Sequence, residues 1–150
     1  QWRPVDLVSV RGSYSYVDAE FTAGTIEGPN PEATTRLDGN QLPGVPSHRL
    51  SATAQLHPDP IRSSITVQNV GEQYGDSENT ATLDGYTTVD LRLSYSGVSI
   101  TDGAAITPFV AVNNAFDVRY NDVVVNAFGG RFYEPAAGRH WRFGASLQFN

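Results

Sequence analysis

The sequence predicts an all-β protein, an antiparallel meander of about six strands, and three observations carry that prediction. Apolar and polar residues alternate with a period of two through six separate stretches, which is the spacing of a strand and not of a helix. Segments rich in Gly, Pro, Asn and Asp punctuate those stretches. Tyr, Phe, Gly and Thr are plentiful, which favours strands and turns.

The first strand is expected in "DLVSVRGSYSYVDAEF". Val8, Val10, Tyr14 and Tyr16 share one face, and Ser9, Arg11, Ser13 and Ser15 the other. A long loop from Thr22 to Pro46 follows. The second strand, "HRLSATAQL", sets Leu50, Ala52, Ala54 and Leu56 against Arg49, Ser51, Thr53 and Gln55. It stops at "HPDP", where two prolines cannot sit in a ladder and mark a tight turn. The third strand, "IRSSITVQNVGEQY", places Ile61, Ile65 and Val67 opposite Arg62, Ser64, Thr66 and Gln68. After the polar loop "GDSENTATLDG", the fourth strand, "YTTVDLRLSY", opposes Val89, Leu91, Leu93 and Tyr95 to Thr88, Asp90, Arg92 and Ser94. The segment "SGVSITDGAA" is expected to turn the chain. The fifth strand, "ITPFVAVNNAFDVRY", alternates less cleanly. Ile106, Val110, Val112, Phe116 and Tyr120 are assigned to its apolar side, with Phe109 and Ala111 blurring the pattern. A further loop leads to the last strand, where Trp141, Phe143, Ala145, Leu147 and Phe149 alternate with His140, Arg142, Gly144, Ser146 and Gln148.

The connections run long, short, medium, shortish, long, so the longer ones collect at one end of the sheet. Transmembrane barrels of the outer-membrane type sort their loops this way, whereas a soluble sandwich has no reason to.

Composition narrows the function. The chain has 150 residues, no cysteine and a net charge of −6, and all ten of its basic residues are arginine. Thiolate metal sites and disulfides are therefore excluded, and without a basic patch nucleic acid is not an expected partner. No apolar run reaches the roughly 20 residues of a membrane helix, but a membrane barrel alternates and keeps mean hydropathy low. The polar face carries Ser, Thr, Gln, Asn and scattered Arg rather than the Lys and Glu usual on a wet sheet. Aromatics mark strand ends: Tyr86 and Tyr95 bracket the fourth strand, Trp141 and Phe149 the sixth. Eight or nine residues at about 3.3 Å each, tilted by about 40°, rise roughly 20–25 Å, which matches a lipid-facing band with two aromatic girdles.

Four segments in order resemble the C-terminal part of TonB-dependent outer-membrane receptors. They are "GNQLPGVPSHRLSATAQL", "NTATLDGYTTVDLRLSYS", "PFVAVNNAFDVRYND" and "GGRFYEPAAGRHWRFGASLQF". In the third, Asn113, Asn114, Phe116, Asp117 and Tyr120 match the penultimate strand of the family. In the fourth, Tyr133, Pro135, Gly138 and Arg139 form the run that precedes its final strand. The resemblance implies a 22-stranded β-barrel plugged by an N-terminal domain, of which residues 1–150 would be the C-terminal segment, plug absent. It implies import of a scarce nutrient, most often a ferric siderophore, with energy delivered through the TonB complex. Implied partners are the rest of the barrel and plug, TonB through the missing N-terminal part, the barrel-assembly machinery through the C-terminal strand, and outer-membrane lipid. The absence of a signal peptide before Gln1 would then reflect truncation. A complete small barrel with a structural or adhesive role, and a soluble β-sandwich binding module, stay open as alternatives.

No catalytic constellation is present, no cofactor is expected, and His48, His57 and His140 fall too far apart in the sequence to suggest a metal site. The receptor reading places Leu50, Val89, Leu91, Trp141, Phe143, Leu147 and Phe149 against the membrane. Arg11, Arg49, Arg62, Asp90, Arg92 and Arg142 would face the lumen, the arginines pairing with plug carboxylates or within the wall. Arg36, Arg131, Tyr133 and Arg139, in the outer loops, are the candidate ligand contacts, because guanidinium pairs well with oxygen anions. Phe128, Phe132 and Trp141 could add aromatic surface, against a plainer role as loop or girdle packing.

Overall fold

The computed structural model describes residues 2–5, 7–28, 34–127 and 130–149. Six strands of nine or ten residues form the body of one antiparallel sheet: β2 (Val8–Tyr16), β5 (His48–Leu56), β6 (Ile61–Val70), β9 (Tyr86–Tyr95), β11 (Ala104–Asn113) and β14 (His140–Phe149). Each pairs with the next along the chain, so the sheet is the expected meander. No helix occurs among the described residues.

The register makes the two faces continuous, because directly opposed residues share a face. Tyr14 lies opposite Leu50, Ala54 opposite Ile65, Ile65 opposite Leu91, Leu91 opposite Val112, and Val112 opposite Trp141. One face is therefore apolar across all six strands. On the other, Arg11 opposes Thr53, Thr53 opposes Thr66, Thr66 opposes Asp90, and Ala111 lies between Arg92 and Arg142. No described residue packs over the apolar face: Leu91 is 41% exposed, Phe143 76% and Phe149 74%. Small buried clusters lie instead under the loops, at Leu37, Ala81 and Leu83.

The connections sort by length. Residues 17–47, 71–85 and 114–139 leave one end of the sheet, and the turn at 57–60 closes the other, with Ile61 N–H donating to the Pro58 carbonyl (2.7 Å).

Several elements differ from the sequence reading. A short strand β1 (Trp2–Val5) precedes β2 and pairs with its start, Trp2 opposite Val10. The outer connections contain hairpins of their own: β3 (Thr25–Glu27) with β4 (Thr34–Arg36), β7 (Gln73–Tyr74) with β8 (Thr82–Leu83), and β12 (Asn121–Ala127) with β13 (Gly130–Pro135). The segment expected to turn the chain after β9 instead continues the strand. Tyr95, Ser96 and Gly97 oppose only Thr107 and Pro108, with Gly97 at φ 80°, and β10 (Val98–Thr101) resumes pairing with β11. This is a β-bulge, the place in a sheet where a proline such as Pro108 is tolerated. The reversal comes later, at Asp102–Gly103, with Gly103 at φ 90°.

Strand β11 ends at Asn113, earlier than expected, so Phe116 and Tyr120 do not extend its apolar side. Phe116 stands 75% exposed between Asn114 (φ 49°) and Asp117 (φ 56°), and Tyr120 stacks on Tyr86 with ring centroids 3.6 Å apart. Tyr86 lies opposite Val70 on the polar face, while Tyr95 lies opposite Ile61 on the apolar one. The two tyrosines therefore do not form one girdle pair. Trp141 and Phe149 do share the apolar face.

Candidate functional site: the loop end and the polar face

The three long connections are fastened by short polar side chains acting on backbone. In 71–85, Asp76 is buried and accepts from Thr80 N–H (2.7 Å), Thr80 Oγ1 (2.6 Å) and Ala81 N–H (3.2 Å), closing the β7–β8 hairpin. Asn79, at φ 55°, reads the Gln41 backbone like an adjacent strand. Its Oδ1 accepts from Gln41 N–H (2.7 Å) and its Nδ2 donates to Gln41 O (2.8 Å). Asn40 Nδ2 donates to Ser77 O (2.9 Å) and Gly44 N–H to Tyr74 O (2.8 Å). Connections 17–47 and 71–85 thus form one unit. Gly85 is needed beneath it, since a Cβ there would meet Val70 O at 2.8 Å and Glu72 N at 3.0 Å.

The corner between β11 and β14 explains the residues that carry the resemblance. Asn114 turns the chain with its amide: Oδ1 accepts from Val118 N–H (2.9 Å) and Nδ2 donates to Val118 O (2.8 Å). Its own N–H donates to Asp90 Oδ1 (2.9 Å). Asp117 Oδ1 accepts from Arg139 N–H (2.8 Å), and a Cβ on Gly138 would lie 2.9 Å from that oxygen. The Asn and Asp of one segment and the Gly-Arg of the other are thus two halves of one backbone joint. Asn113 Oδ1, on the polar face, is buried with no hydrogen-bond partner among the described residues.

Of the candidate ligand contacts, all four stand at this end but on separate supports. Arg36, on β4, is held by Asp38, its Nε 2.9 Å from Oδ2 and its second nitrogen on the same oxygen. Asp38 also accepts from Gly24 N–H (3.2 Å), and the Arg36 guanidinium holds its carboxyl below the usual carboxylate range. Tyr133, on β13, is 47% exposed. Arg131 lies opposite Asn126 in the same hairpin, but its side chain falls outside the described residues, as does Phe128. Arg139 immediately precedes β14 and is exposed.

The sequence reading did not single out the recess between these loops and the polar face. It has a volume of about 300 Å³ and is lined by Gly44, Arg49, Val70, Gln73, Tyr74, Gly75, Leu83, Tyr86 and Asp122. The Tyr86–Tyr120 stack stands at its edge. A spacing of 34 residues between those rings gave no local signal.

On the polar face proper, cross-strand partners hydrogen-bond: Thr53 Oγ1 with Thr66 Oγ1 (3.0 Å), and Ser9 Oγ donating to Gln55 Oε1 (3.3 Å). Arg11, Arg49, Arg62, Arg92 and Arg142 all lie on this face. None forms an ion pair with a described carboxylate, and Asp90, two places from Arg92, is engaged by Asn114 instead. Among the described residues, no cluster of His, Asp and Glu could hold a metal ion.

A family model for the β-barrel of TonB-dependent receptor-like proteins matches residues 1–115. The chain belongs to that family. Its sheet is therefore a segment of such a β-barrel, in a family of outer-membrane receptors and transporters and not of enzymes. The ferrichrome outer membrane transporter/phage receptor of Escherichia coli (strain K12) is 31% identical over 128 residues, covering 81% of this chain and 16% of the relative. The siderophore receptor PiuA from Acinetobacter baumannii superposes with a TM-score of 0.76 at 21% identity, over 97% of this chain and 20% of its own. The ferric yersiniabactin uptake receptor FyuA from Yersinia pestis gives 0.72 at 22% identity, over 99% and 22%. The chain thus spans about a fifth or less of these proteins, and among the described residues its sheet is open at both edges.

Proposed function

We propose that residues 1–150 form the C-terminal wall segment of an outer-membrane active transporter that binds a ferric siderophore outside and imports it with energy delivered through TonB. One observation carries the reading: the face that is apolar across six strands is left uncovered by the described residues, in a sheet whose long connections all leave one end. In water such a face would cost far more than a soluble domain tolerates, whereas acyl chains cover it without penalty. Leu50, Val89, Leu91, Trp141, Phe143, Leu147 and Phe149 are its membrane contacts. At the loop end the same face turns polar, with Asn69 Nδ2 donating to Thr87 Oγ1 (2.8 Å) and Tyr14 hydroxyl bonded to His48 Nδ1 (2.7 Å), as suits the headgroup layer.

Arg49, Arg62, Asp90, Arg92 and Arg142 then line the lumen beside the plug. Arg36, Arg131, Tyr133 and Arg139 stand where an incoming anionic complex arrives. Unpaired edges in hydrocarbon cost several kcal/mol per group, so β1–β2 and β14 require further strands to close the wall. The assembly machinery takes β14 as its signal. Similarity to siderophore receptors favours the ferric ligand.

The test is uptake of ⁵⁵Fe-siderophores by cells with and without the gene, joined to nitroxide labels at Leu50, Leu91, Phe143 and Leu147 in native outer membranes. Loss of uptake on deletion and oxygen-accessible, water-shielded labels are expected. Labels reporting water or packed protein would overturn the reading.

A further inference from the structure

Strand β14 reaches its place beside β11 through the long connection 114–139. A tight turn, like that at 57–60, fixes the register of the strands it joins, and a long connection does not. Alternation leaves the register open too, in steps of two residues. Phe109 lies opposite Gly144, Val110 opposite Phe143 and Val112 opposite Trp141. A slip of one residue would turn the apolar side chains of β14 to the polar face. A slip of two, about 7 Å along the strand, would leave each on its own face. Val110 would then meet Trp141 or Ala145, and Phe109 would meet Arg142 or Ser146. The hydrophobic pattern accepts all three registers. Asp117, at the corner, grips the Arg139 N–H, a group that other residues of β14 also carry.

The polar face does discriminate. A Cβ at Gly144 would lie 2.6 Å from Cε1 and 2.7 Å from Cζ of Phe109, so the ring occupies the room a side chain there would need. The Arg92 guanidinium, reaching past the opposed Ala111, stacks on the ring with Cζ 3.7 Å from its centroid. The ring is thus seated over β14 and covered from β9. Gly12 in β2 supplies the contrast. It is also opposed by another strand, at Ala52, yet a Cβ there would meet nothing nearer than Ser51 O at 3.8 Å. A glycine within a strand does not by itself make a seat.

We propose that Phe109 and Gly144 are a register key: the ring admits β14 only with glycine beneath it, and so selects one of the three registers that alternation allows. In a closed barrel the stagger of the strands sets the shear, which a two-residue slip would change. The key therefore decides where the other edge of β14, unpaired among the described residues, meets the strand that closes the wall. That last step rests on the barrel reading. The key itself rests only on the pairing of β11 with β14.

The test is disulfide trapping in the whole receptor that carries this chain, in native outer membranes, with assembly checked by heat-modifiable migration. Val110→Cys with Phe143→Cys reports the register seen here. Val110→Cys with Trp141→Cys, or with Ala145→Cys, reports the slipped ones. Residues one such step away sit on the diagonal, about 7–8 Å apart, beyond the ordinary reach of a disulfide. With the key intact, only the 110–143 pair closes. Gly144→Leu fills the seat and Phe109→Ala removes the ring, and in each a slipped pair rises at least tenfold. Exchanging the two, Phe109→Gly with Gly144→Phe, rebuilds the key in reverse and restores the 110–143 pair. A 110–143 pair alone in either assembled single variant overturns the key. Where the single variants do not assemble, the exchange decides: its assembly with the 110–143 pair closed supports the key, and its failure overturns it. Failure of that pair to close with the key intact overturns the pairing beneath it. A nitroxide at Phe143 tests the barrel reading separately, since water there removes the closure step and leaves the key standing.

Discussion

Leu91 and Arg92 are neighbours in β9 and answer to different surroundings. On the side of Leu91, the apolar face has few protein partners, and its energetics are set by the medium that covers it. On the side of Arg92, side chains are held by each other: Arg92 by Phe109, Phe109 by Gly144, Thr53 by Thr66. One strand thus carries two chemistries, and its register is fixed because a slip of one residue would exchange them.

The sharpest way to break that contrast is to put the same charge on both faces. Leu91→Arg should destabilise the membrane-embedded receptor by about 2–4 kcal/mol, the cost of arginine near a bilayer midplane. Gln68→Arg, on the polar face, should stay within about 0.5 kcal/mol. Urea unfolding in lipid vesicles measures both, and equal costs would erase the distinction. Next in size, Gly144→Ala should cost about 1–3 kcal/mol by driving a methyl into the Phe109 ring. Adding Phe109→Ala should recover much of that, and strictly additive costs would show that the ring and the notch are not coupled. Thr53→Val removes one cross-strand hydrogen bond and should cost about 0.2–1 kcal/mol.

The smallest effect lies outside the sheet. Asp38 has a folded pKa lowered from 3.8, so its pairing with Arg36 contributes above that unfolded value and is lost as pH falls through the lower folded one. The pair is exposed, and its contribution is slight. An NMR titration of the Asp38 carboxyl should show a midpoint below 3.8, returning upward in Arg36→Ala.

The same contrast explains what the sequence made legible. Alternation revealed the six long strands because each has one face of a single character, and loop sorting followed from their spacing. Phe109 blurred the fifth strand because it is an aromatic on the polar face, where a glycine 35 residues away leaves room for its ring. The strand continuing past Gly97 was hidden because Ser-Gly followed by Asp-Gly resembles two turns, and only pairing with β11 shows that the first is a bulge. The strands of the loop hairpins are two to seven residues long, too short for a period to show. Tyr86 with Tyr120, and Asn79 with Gln41, are long-range meetings that no local pattern announces. The candidate ligand residues were legible as to which end of the sheet they occupy, since that follows from the meander. Their supports were not.

The Asn79–Gln41 fastening has a consequence for how such a surface changes. Asn79 grips only main-chain atoms of position 41, and Asn40 only a main-chain oxygen of position 77. The joint is indifferent to what side chains its acceptor positions display. Substitution there can rewrite the outward texture of these loops while the scaffold beneath keeps its shape.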